Sequence, residues 1–421
     1  MNLTSIVAFI VVFGVIVTIH EFGHFFAAKK FGVVVYEFSI GMGPKIFGKN
    51  KNGTNYVLRL LPVGGYVLMA GADQDNEYLD DLRPGKVVKI KFSDDKTVNF
   101  IDISDDNDDV SEQVLRITAI DLSNKLMISG ISDQNTGDEV SYQLSTKTQI
   151  RVEKDRIIQI APRERQLTHI AIWKQAIVNF AGPFMNFVLA IVLFIGIAFA
   201  FAKVPVSNSQ ISPIAHYPAA QQGLKKGDLI TKINSTKVSN WNQLTSAISQ
   251  QKGQTVKVTY RRQHKTKVIR IKPKKIVESG QTRYLIGVEQ YTTSGFSNRI
   301  RYAYSTFING ASSIWLALGH LIVHPSLNQL GGPIEIAKTT STAASDGFLS
   351  LVNLTAFLSL NIGIFNLIPI PVLDGGKLLL NLIQAIRHKP LSDKINQSVT
   401  IAGAVFMILL MIAVTINDLL R

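Results

Sequence analysis

Long apolar stretches alternate with polar regions along this chain, and they form the strongest pattern in the sequence. Each of four stretches holds roughly twenty residues with few charges, which is enough for a helix to span the hydrocarbon core of a bilayer. The pattern predicts four transmembrane helices, at residues 1–28, 177–203, 348–370 and 397–418. Residues 296–345 are apolar only in patches, which Arg301, Asn309 and His320 interrupt. We expect juxtamembrane amphipathic helices there.

Between the predicted helices the pattern changes to the alternation that is typical of β-strands. Residues 33–69 alternate apolar and polar positions between glycine turns, which predicts membrane-associated β-hairpins. Residues 73–164 are polar with short β-like runs and predict a β-rich insert. Residues 206–291 have soluble character again, with a short helix, a glycine-centred turn and strands. The expected fold class is a polytopic α-helical membrane protein with a hairpin region and two soluble domains.

Charged residues at the ends of the apolar stretches predict the orientation in the cell membrane. Lys29 follows the first stretch, Arg165 precedes the second, and several basic residues lie in a predicted loop over residues 371–396. Cytoplasmic flanks of membrane helices carry an excess of Lys and Arg. We therefore expect the β-rich insert and this loop in the cytoplasm, and the second soluble domain and both termini outside.

The composition narrows the partners and the metal chemistry. The chain has 421 residues, a formal net charge of +14 and no cysteine. Without cysteine there are no disulfides and no thiolate ligands, so a metal site would have to use histidine and carboxylate. No segment has the pattern of a nucleic-acid-binding module, and a basic excess in a membrane protein more often reflects anionic lipid headgroups. The lipid bilayer, and no nucleic acid, is the expected partner of these charges.

Candidate chemistry lies at the end of the first apolar stretch, in the run His20-Glu21-Phe22-Gly23-His24. On a helix, H-E-x-x-H places two imidazoles one turn apart on the same face, where both can bind one Zn²⁺. Glu21 lies beside them and can act as a general base. No charged side chain precedes this run, and ionisable groups at membrane depth are costly enough to indicate function. The run predicts a hydrolytic zinc site near the cytoplasmic face of the bilayer.

A third protein ligand is expected from the segment that closes the third stretch, which reads Asn366-Leu367-Ile368-Pro369-Ile370-Pro371-Val372-Leu373-Asp374-Gly375-Gly376. Two prolines end the helix, and Asp374 follows at the membrane depth of the two histidines. Each group also has an ordinary explanation: the histidines as buried hydrogen-bonding groups, Asp374 as a helix N-cap, and Asn366 as a contact between helices. Their common depth favours a shared metal.

These motifs resemble those of the site-2 protease family of intramembrane zinc metalloproteases, and in particular its bacterial regulator-of-sigma-E-protease type. The resemblance rests on H-E-F-G-H at residues 20–24, N-x-x-P-x-P-x-x-D-G-G at residues 366–376, a second-span motif at residues 179–186, and Gly332-Pro333-Ile334. Residues 219–230 resemble the start of a bacterial protease-associated PDZ domain, here in a single copy. The match covers nearly the whole chain except the β-rich insert.

The resemblance implies that His20, His24 and Asp374 bind Zn²⁺, that Glu21 is the catalytic base, and that Asn366 contacts the substrate or the transition state. Substrates would be single-span membrane proteins that another protease has trimmed, such as anti-sigma factors, or signal-peptide remnants. For the PDZ domain we expect one of three roles: a spacer, a filter that excludes substrates with bulky outer domains, or a cradle for a freshly cut C-terminus.

We expect an unwound substrate segment to pair with the hairpin region by strand addition. The expected substrate-binding positions are Gly41, Gly43, Gly64, Gly65, Pro369 and Pro371. The family often has Gly-Phe-Gly in its hairpin where this chain has Gly41-Met42-Gly43.

A metal or solute transporter and a membrane-tethered PDZ scaffold are the alternatives from other classes. A transporter would more often show internal repeats, which this sequence lacks. A scaffold would give Glu21 and Asp374 no purpose. The variant Glu21→Gln separates these hypotheses, because it should abolish proteolysis and leave transport or scaffolding largely intact.

Overall fold

A computed structural model describes residues 3–71, 82–104, 113–132, 138–153, 156–278, 281–389 and 393–420. The helices in these ranges are α1 Leu3–Lys30, α2 Ile172–Ala200, α3 Pro218–Gln221, α4 Trp241–Ser249, α5 Phe296–Val323, α6 Pro333–Ser345, α7 Phe348–Phe365, α8 Asp374–Arg387 and α9 Asp393–Leu420. The strands of the first half are β1 Val35–Lys51, β2 Thr54–Met69, β3 Val87–Phe92, β4 Val98–Asp102, β5 Gln113–Asp121, β6 Met127–Ser132, β7 Glu139–Glu153 and β8 Arg156–Gln159. Those of the second half are β9 Val204–Pro205, β10 Ile211–Pro213, β11 Leu229–Ile233, β12 Thr236–Lys237, β13 Val256–Arg262, β14 Lys265–Ile271, β15 Lys274–Glu278, β16 Gln281–Leu285, β17 Val288–Gln290 and β18 Thr292–Thr293.

The chain forms two compact units. The first comprises Met1–Ala190 and Ile314–Arg421, and the second comprises Ile191–Ser313. The first unit contains the residues of the predicted zinc site, and the second contains the predicted PDZ domain.

Among the described residues, five helices are long and apolar enough to cross a membrane: α1, α2, α5, α7 and α9. The sequence pattern predicts four, because polar residues interrupt the region 296–345. In the structure, residues Phe296–Val323 nevertheless form one continuous helix of 28 residues. Arginine, asparagine and histidine lower helix propensity by only a few tenths of a kcal/mol, roughly, so they do not break the backbone.

Within the predicted loop over residues 371–396, a helix, α8, occupies residues 374–387. Leu379, Leu382 and Ile386 recur at helical spacing and are exposed, whereas Asn381 is buried. Residues 390–392 of the predicted loop lie outside the described residues.

Strands β1 and β2 pair with each other and fold into a compact sheet, in agreement with the hairpin prediction. Residues 37–40 lie in its middle, paired with residues 65–68 on one side and with residues 55–58 on the other. Residues 65–68 are therefore at one edge of the sheet. The glycine turns at residues 41–43 and 64–65 lie at the same end of it.

A buried carboxylate fixes the base of this hairpin sheet. Glu37 accepts hydrogen bonds from Arg59 Nη2 at 2.6 Å, from Tyr66 Oη at 2.6 Å and from Arg156 Nη2 at 3.1 Å. Arg156 belongs to β8, so the cluster joins the hairpin sheet to the neighbouring domain. A buried ion network of this kind holds its geometry because loss of either partner leaves an uncompensated charge.

That neighbouring domain is the β-rich insert, which forms a closed barrel. The sheet order is β4-β3-β5-β6-β7-β8, and a further parallel pairing of β4 with β7 closes it. Fully buried side chains fill the interior, among them Ile90, Ile101, Leu115, Ile128 and Ile150. The same apolar cluster includes Val34, Tyr36 and Leu68 of the hairpin region, so the barrel is a rigid base for the hairpin sheet. Parts of the predicted insert, residues 73–81, 105–112, 133–137 and 154–155, lie outside the described residues.

In the second unit, strands β12-β11-β13-β14 form a four-stranded antiparallel sheet. Helix α4 presents its buried residues Leu244, Ala247 and Ile248 to the apolar face of this sheet. Its first residues are fixed by Asn240, whose Oδ1 accepts the Gln243 N–H at 2.9 Å. The resemblance of this region to a PDZ domain stays a prediction.

Candidate metal centre

Three side chains from two distant segments converge in the first unit. Nε2 of His20 lies 3.3 Å from Nε2 of His24, and Oδ2 of Asp374 lies 3.2 Å from the first and 3.3 Å from the second. All three residues are buried, each 8% exposed. The three atoms form a nearly equilateral triangle, as the sequence analysis expected of a shared metal.

The edge length of this triangle tests whether a zinc ion fits. Zinc bonds of about 2.0–2.1 Å at tetrahedral angles place neighbouring ligand atoms about 3.3 Å apart. The observed edges of 3.2–3.3 Å match that value. The residues fit a divalent cation with two nitrogen ligands and one oxygen ligand.

Hydrogen bonds on the far side of each imidazole prepare it for this role. Nδ1 of His24 lies 2.8 Å from the carbonyl oxygen of Val178. A carbonyl oxygen only accepts, so Nδ1 carries the proton and the lone pair of Nε2 faces the centre. Nδ1 of His20 lies 3.2 Å from Nδ2 of the buried Asn186, and Oδ1 of the same amide has no hydrogen-bond partner among the described residues. With the amide turned over, Oδ1 would accept from Nδ1–H and fix the same tautomer on His20.

Helix α2 forms a wall of the site because it has glycine where it approaches the imidazoles. A Cβ at Gly182 would overlap Nε2 of His24 and lie 2.8 Å from Nε2 of His20. A Cβ at Gly23 of α1 would overlap the carbonyl oxygen of Ala181. These two glycines let α1 and α2 pack backbone to backbone. The second-span motif at residues 179–186 contains Gly182 and Asn186, but their contacts with the histidines were not predicted.

The segment after α7 turns back on itself and so brings Asp374 to the histidines. The Gly375 N–H donates to the Asn366 carbonyl at 2.6 Å and closes the turn. A Cβ at Gly375 would overlap the carbonyl oxygens of Leu367 and Ile368, and one at Gly376 would overlap that of Ile370. The glycines of the D-G-G motif are therefore required by the turn. Asp374 is the first residue of α8, the N-cap is Leu373, and no side chain caps this helix. The alternative role of Asp374 as an N-cap is thus not observed.

Asp374 is ionised in this setting. Burial acts to raise the pKa of its carboxyl group. When the imidazoles carry protons on Nε2 in place of a metal, the charge of His24 and the hydrogen bonds that both rings donate outweigh burial, and they hold the pKa of Asp374 well below its usual range. A deprotonated carboxylate is the form that binds a metal.

Helix α8 is held against α2 two turns after Asp374. Asn381 is buried, and in the amide orientation that satisfies both of its atoms Oδ1 accepts from Asn179 Nδ2 at 3.2 Å and from the Ala176 N–H at 3.1 Å. Sequence reasoning missed Asn381, which belongs to no motif. A signal was present, since residues seven positions apart lie on the same face of a helix.

The predicted base lies beside the centre, where the hairpin sheet meets α1. Glu21 is half-buried, next in sequence to the ligand His20. A Cβ at Gly65 would lie 3.4 Å from Cγ of Glu21 and 2.7 Å from the Ser39 carbonyl oxygen. Gly41, Gly43 and Gly64 have φ of +87°, +83° and +88°, a region that favours glycine. The glycine end of the hairpin sheet thus lies against the helix that carries the ligands.

The remaining predicted residues are on the segment after α7. Asn366 is the C-cap of α7, and it is tied to the site through its backbone carbonyl. Pro369 is exposed. Pro371 packs against α9: a Cβ built at Gly403 of that helix would lie 3.0 Å from the Cβ of Pro371. The structure brings together His20, His24 and Asp374, and it places Glu21, Gly65 and Asn366 around them.

Comparison with known proteins gives the family. The model of Peptidase family M50 matches residues 8–410. A relative from Streptococcus pyogenes serotype M3 is 40% identical over 424 residues, covering 99% of both chains. One from Streptococcus pneumoniae is 40% identical over 423 residues with the same coverage. One from Staphylococcus aureus is 38% identical over 430 residues, covering 100% of this chain and 99% of its own. The names of all three contain the words zinc metalloprotease.

Among solved structures, the PDZ domain of the SdrC-like protein from Listeria monocytogenes is 25% identical and covers 20% of this chain and 86% of its own. Its TM-score of 0.17 is too low to assign a fold. The family model matches nearly the whole chain, and the relatives match over their full length. These two findings are sufficient to assign the family. The chain belongs to Peptidase family M50, and it is a metalloprotease.

Proposed function

We propose that this chain is an intramembrane zinc protease, which hydrolyses peptide bonds within or near the transmembrane segments of single-span membrane proteins. The observation that carries the proposal is the triangle of His20, His24 and Asp374. The two histidines lie on α1 and Asp374 follows α7 after a short turn, and both α1 and α7 are long and apolar enough to cross a membrane. A hydrolytic centre at the ends of such helices suits a substrate that reaches it from the bilayer.

His20, His24 and Asp374 would hold Zn²⁺, and when bound the ion lowers the pKa of water toward neutrality and polarises a carbonyl group. Glu21 then has the role of general base: its carboxylate accepts the proton of the attacking water and returns it to the leaving amine. Its place on α1, one residue from a ligand and half-exposed, supports this role.

Asn366 is proposed to bind the reacting peptide. Its backbone is fixed by two hydrogen bonds, from its own N–H to Ile362 O at 2.9 Å and from Gly375 N to its carbonyl. The side-chain amide would donate a hydrogen bond to the developing oxyanion or to the substrate backbone. A fixed backbone is what such a donor needs, because a preorganised group costs no rearrangement during the reaction.

The hairpin sheet is proposed to hold the substrate as an added strand. A peptide bond inside a helix is shielded, so the substrate must unwind and expose its own backbone groups. Residues 65–68 are at the edge of the sheet, and Gly65 lies against Glu21. Pairing with that edge would present an extended peptide beside the centre. Gly41, Gly43 and Gly64 would keep the end of the sheet open by turning without bulky side chains.

Four crossings of the cell membrane are proposed. Helices α1 and α2 run antiparallel, since His20 faces Asn186 and His24 faces Val178. The end of α2 that follows these contacts is therefore proposed to lie on the side of the chain's N-terminus. The position of the segment that follows α5 is inferred from the contacts of α6.

Helix α6, which follows α5, contacts the same side. Ser341 Oγ lies 2.6 Å from Ser5 Oγ at the start of α1, and the Glu335 N–H donates to Asp418 Oδ2 at the end of α9 at 3.2 Å. The residues that follow α5 would thus lie on the side of the chain's N-terminus, and α5 is proposed to be a juxtamembrane helix that does not cross the membrane. With basic residues at the opposite ends of the spans, that side is proposed to be outside the cell, and the zinc site to be near the cytoplasmic face.

The experiment uses purified wild-type and Glu21→Gln chains with single-span substrates, such as an anti-sigma-factor fragment or a signal-peptide remnant, in detergent micelles. We expect the wild type to release two fragments and the variant to release none while it still binds zinc. Cleavage by the variant at the wild-type rate would contradict the assigned base. Cleavage by neither chain, with zinc bound to both, would contradict the proposed substrate class.

A further inference from the structure

Positive charge is concentrated in one part of this chain. Residues 204–293 contain fifteen lysines and arginines and three acidic residues, so they have a net charge of +12 out of +14 for the whole chain. No acidic residue occurs from residue 229 to residue 277. The excess that the composition attributes to the whole protein therefore belongs almost entirely to the soluble domain of the second unit.

One of the three acidic residues in this domain is already neutralised. Asp228 is buried, and Arg262 binds it through Nε at 2.7 Å and Nη2 at 2.6 Å. The other two, Glu278 and Glu289, are in the last strands of the domain. The sheet β12-β11-β13-β14 is thus left with an excess of cations.

The register of the strands places five of these cations on one face. Lys232 is opposite Lys237, and Lys257 is opposite Arg270. Lys232 also neighbours Thr259, which lies between Lys257 and Arg261 on the same face of β13. All five side chains are exposed, whereas the alternating residues Val256, Val258 and Ile271 are fully buried. We call Lys232, Lys237, Lys257, Arg261 and Arg270 the cationic sheet face.

The arrangement is unfavourable for the isolated domain. Like charges directly opposite each other in an antiparallel sheet repel. Among the residues that the structure describes, none of the five has an ion-pair partner. An anionic surface opposite this face would relieve the repulsion, and several cations on one plane suit a flat partner rather than a single ion.

The connections of the domain indicate which anionic surface it meets. Strand β9 begins at Val204, shortly after α2 ends at Ala200, and α5 begins at Phe296 shortly after β18. Arg299 of α5 donates to the carbonyls of Ala198 and Phe199 at the end of α2, both at 2.8 Å. Because both neighbouring helices are apolar enough to span a membrane, the domain is held at the surface of the bilayer.

We propose that the cationic sheet face docks on the headgroups of anionic phospholipids. Juxtamembrane clusters of Lys and Arg are attracted to such membranes over about one Debye length. Docking would fix the orientation of the domain relative to the bilayer surface. The proposal depends on the membrane location of the proposed function and does not depend on proteolysis.

A single fluorophore tests this directly, because the chain has no cysteine of its own. Val268 lies on the cationic sheet face and is 49% exposed. The full-length Val268→Cys chain is labelled and placed in nanodiscs of phosphatidylcholine, with or without phosphatidylglycerol. Quenching by acrylamide, which is neutral, measures how accessible the label is to water. We expect quenching to fall about threefold with phosphatidylglycerol and to return at high salt.

The matched control carries the label at Ser246, which is exposed on α4 on the other side of the sheet. Its quenching should not depend on the lipid. Adding Lys257→Gln and Arg270→Gln to the Val268→Cys chain should restore quenching, and both positions are exposed, so the fold is kept. Equal quenching of the Val268 label in both lipids would overturn the proposal. Protection by soluble polyglutamate but not by phosphatidylglycerol would also overturn it, because the face would then bind an acidic polymer. Failure of the chain to enter nanodiscs would instead contradict the proposed membrane location.

Discussion

At the position of Gly182, the absence of one methyl group allows two imidazoles to reach a common metal. The backbone of α2 passes directly over the Nε2 atoms of His20 and His24, and a Cβ at Gly182 would overlap Nε2 of His24. Histidine ligands depend on such surroundings as much as on their own identity, since the neighbouring groups fix ring orientation and tautomer.

We expect Gly182→Ala to lower the affinity for zinc roughly a hundredfold or more. The added methyl group would push the His24 ring away from Asp374 and open the triangle. Competition with a chromophoric chelator measures the affinity on purified protein.

Gly196→Ala on the same helix is the matched control, because nothing lies within 4 Å of a Cβ at that position. It should bind zinc as the wild type does. Wild-type affinity in Gly182→Ala would mean that α2 is not the wall of the site.

At the residue scale, the sequence predicts the metal ligands but not the residues that hold them in place. His20, His24 and Asp374 can be predicted because metal chemistry requires those residue types at a fixed spacing or after a helix end. Asn381 cannot be predicted, because the role of a buried amide depends on the neighbour that it contacts, here Asn179 in a distant helix. The glycines of D-G-G were visible, but the carbonyls that exclude a Cβ there appear only once the chain has folded.

At the scale of elements, α8 acts as the arm that holds Asp374. Its first residue is the ligand, and Asn381 joins it to α2 near Asn179 and Ala176. Loss of a buried hydrogen-bonding partner costs about 1–3 kcal/mol, which corresponds to roughly fivefold to more than a hundredfold in an equilibrium constant.

We expect Asn381→Leu to release zinc about tenfold faster and to lower kcat with little change in KM. The substitution leaves Asn179 unpaired, so α8 would hold Asp374 less firmly. Stopped-flow chelation measures the release, and steady-state cleavage separates kcat from KM.

Arg387→Gln, at the exposed end of the same helix, should leave both quantities unchanged. A rise in KM alone for Asn381→Leu would assign the residue to substrate binding instead.

The hairpin sheet gives the second prediction for an element. Gly65→Pro removes an N–H from the edge strand and adds bulk beside Ser39 and Glu21. We expect turnover to fall at least about tenfold while the zinc content stays that of the wild type, because the ligands are on other elements. Cleavage assays with parallel metal analysis check both parts.

The control for this variant is Asn52→Gly in the turn at the opposite end of the sheet. Asn52 is exposed and has φ of +53°, a conformation that glycine adopts readily. This variant should cleave normally. Unchanged cleavage by Gly65→Pro would rule out strand addition at this edge.

At the scale of the whole molecule, hydropathy identifies α1, α2, α7 and α9, because lipid demands long apolar helices. It does not decide the role of α5, whose polar residues are compatible with a span and with a surface helix. The closure of the insert by β4 and β7 was not predictable either. Those strands are about fifty residues apart and pair in parallel, and the alternation within a strand carries no information on a distant partner.

The four-crossing topology is tested by single cysteines in the cysteine-free chain. A membrane-impermeant maleimide applied to intact cells should label Gln263→Cys in the soluble domain and Asn328→Cys after α5. It should label Asn124→Cys in the insert only after permeabilisation. All three positions are exposed. Gln263 and Asn328 should be labelled alike because α5, which lies between them in the chain, is proposed not to cross the membrane.

Labelling of Asn328→Cys only after permeabilisation would make α5 a fifth span. Labelling of Asn124→Cys in intact cells would reverse the orientation of the whole chain.

The central claim is that His20 and His24 of α1 and Asp374 after α7 bind one zinc ion. Metal analysis of purified chains tests this claim most directly. Wild type and Glu21→Gln should each contain about one zinc per chain, with two imidazoles in the zinc coordination shell by X-ray absorption. His24→Ala and Asp374→Ala should lose the metal. Wild-type protein without stoichiometric zinc, or an Asp374→Ala chain that keeps it with unchanged coordination, would contradict the account.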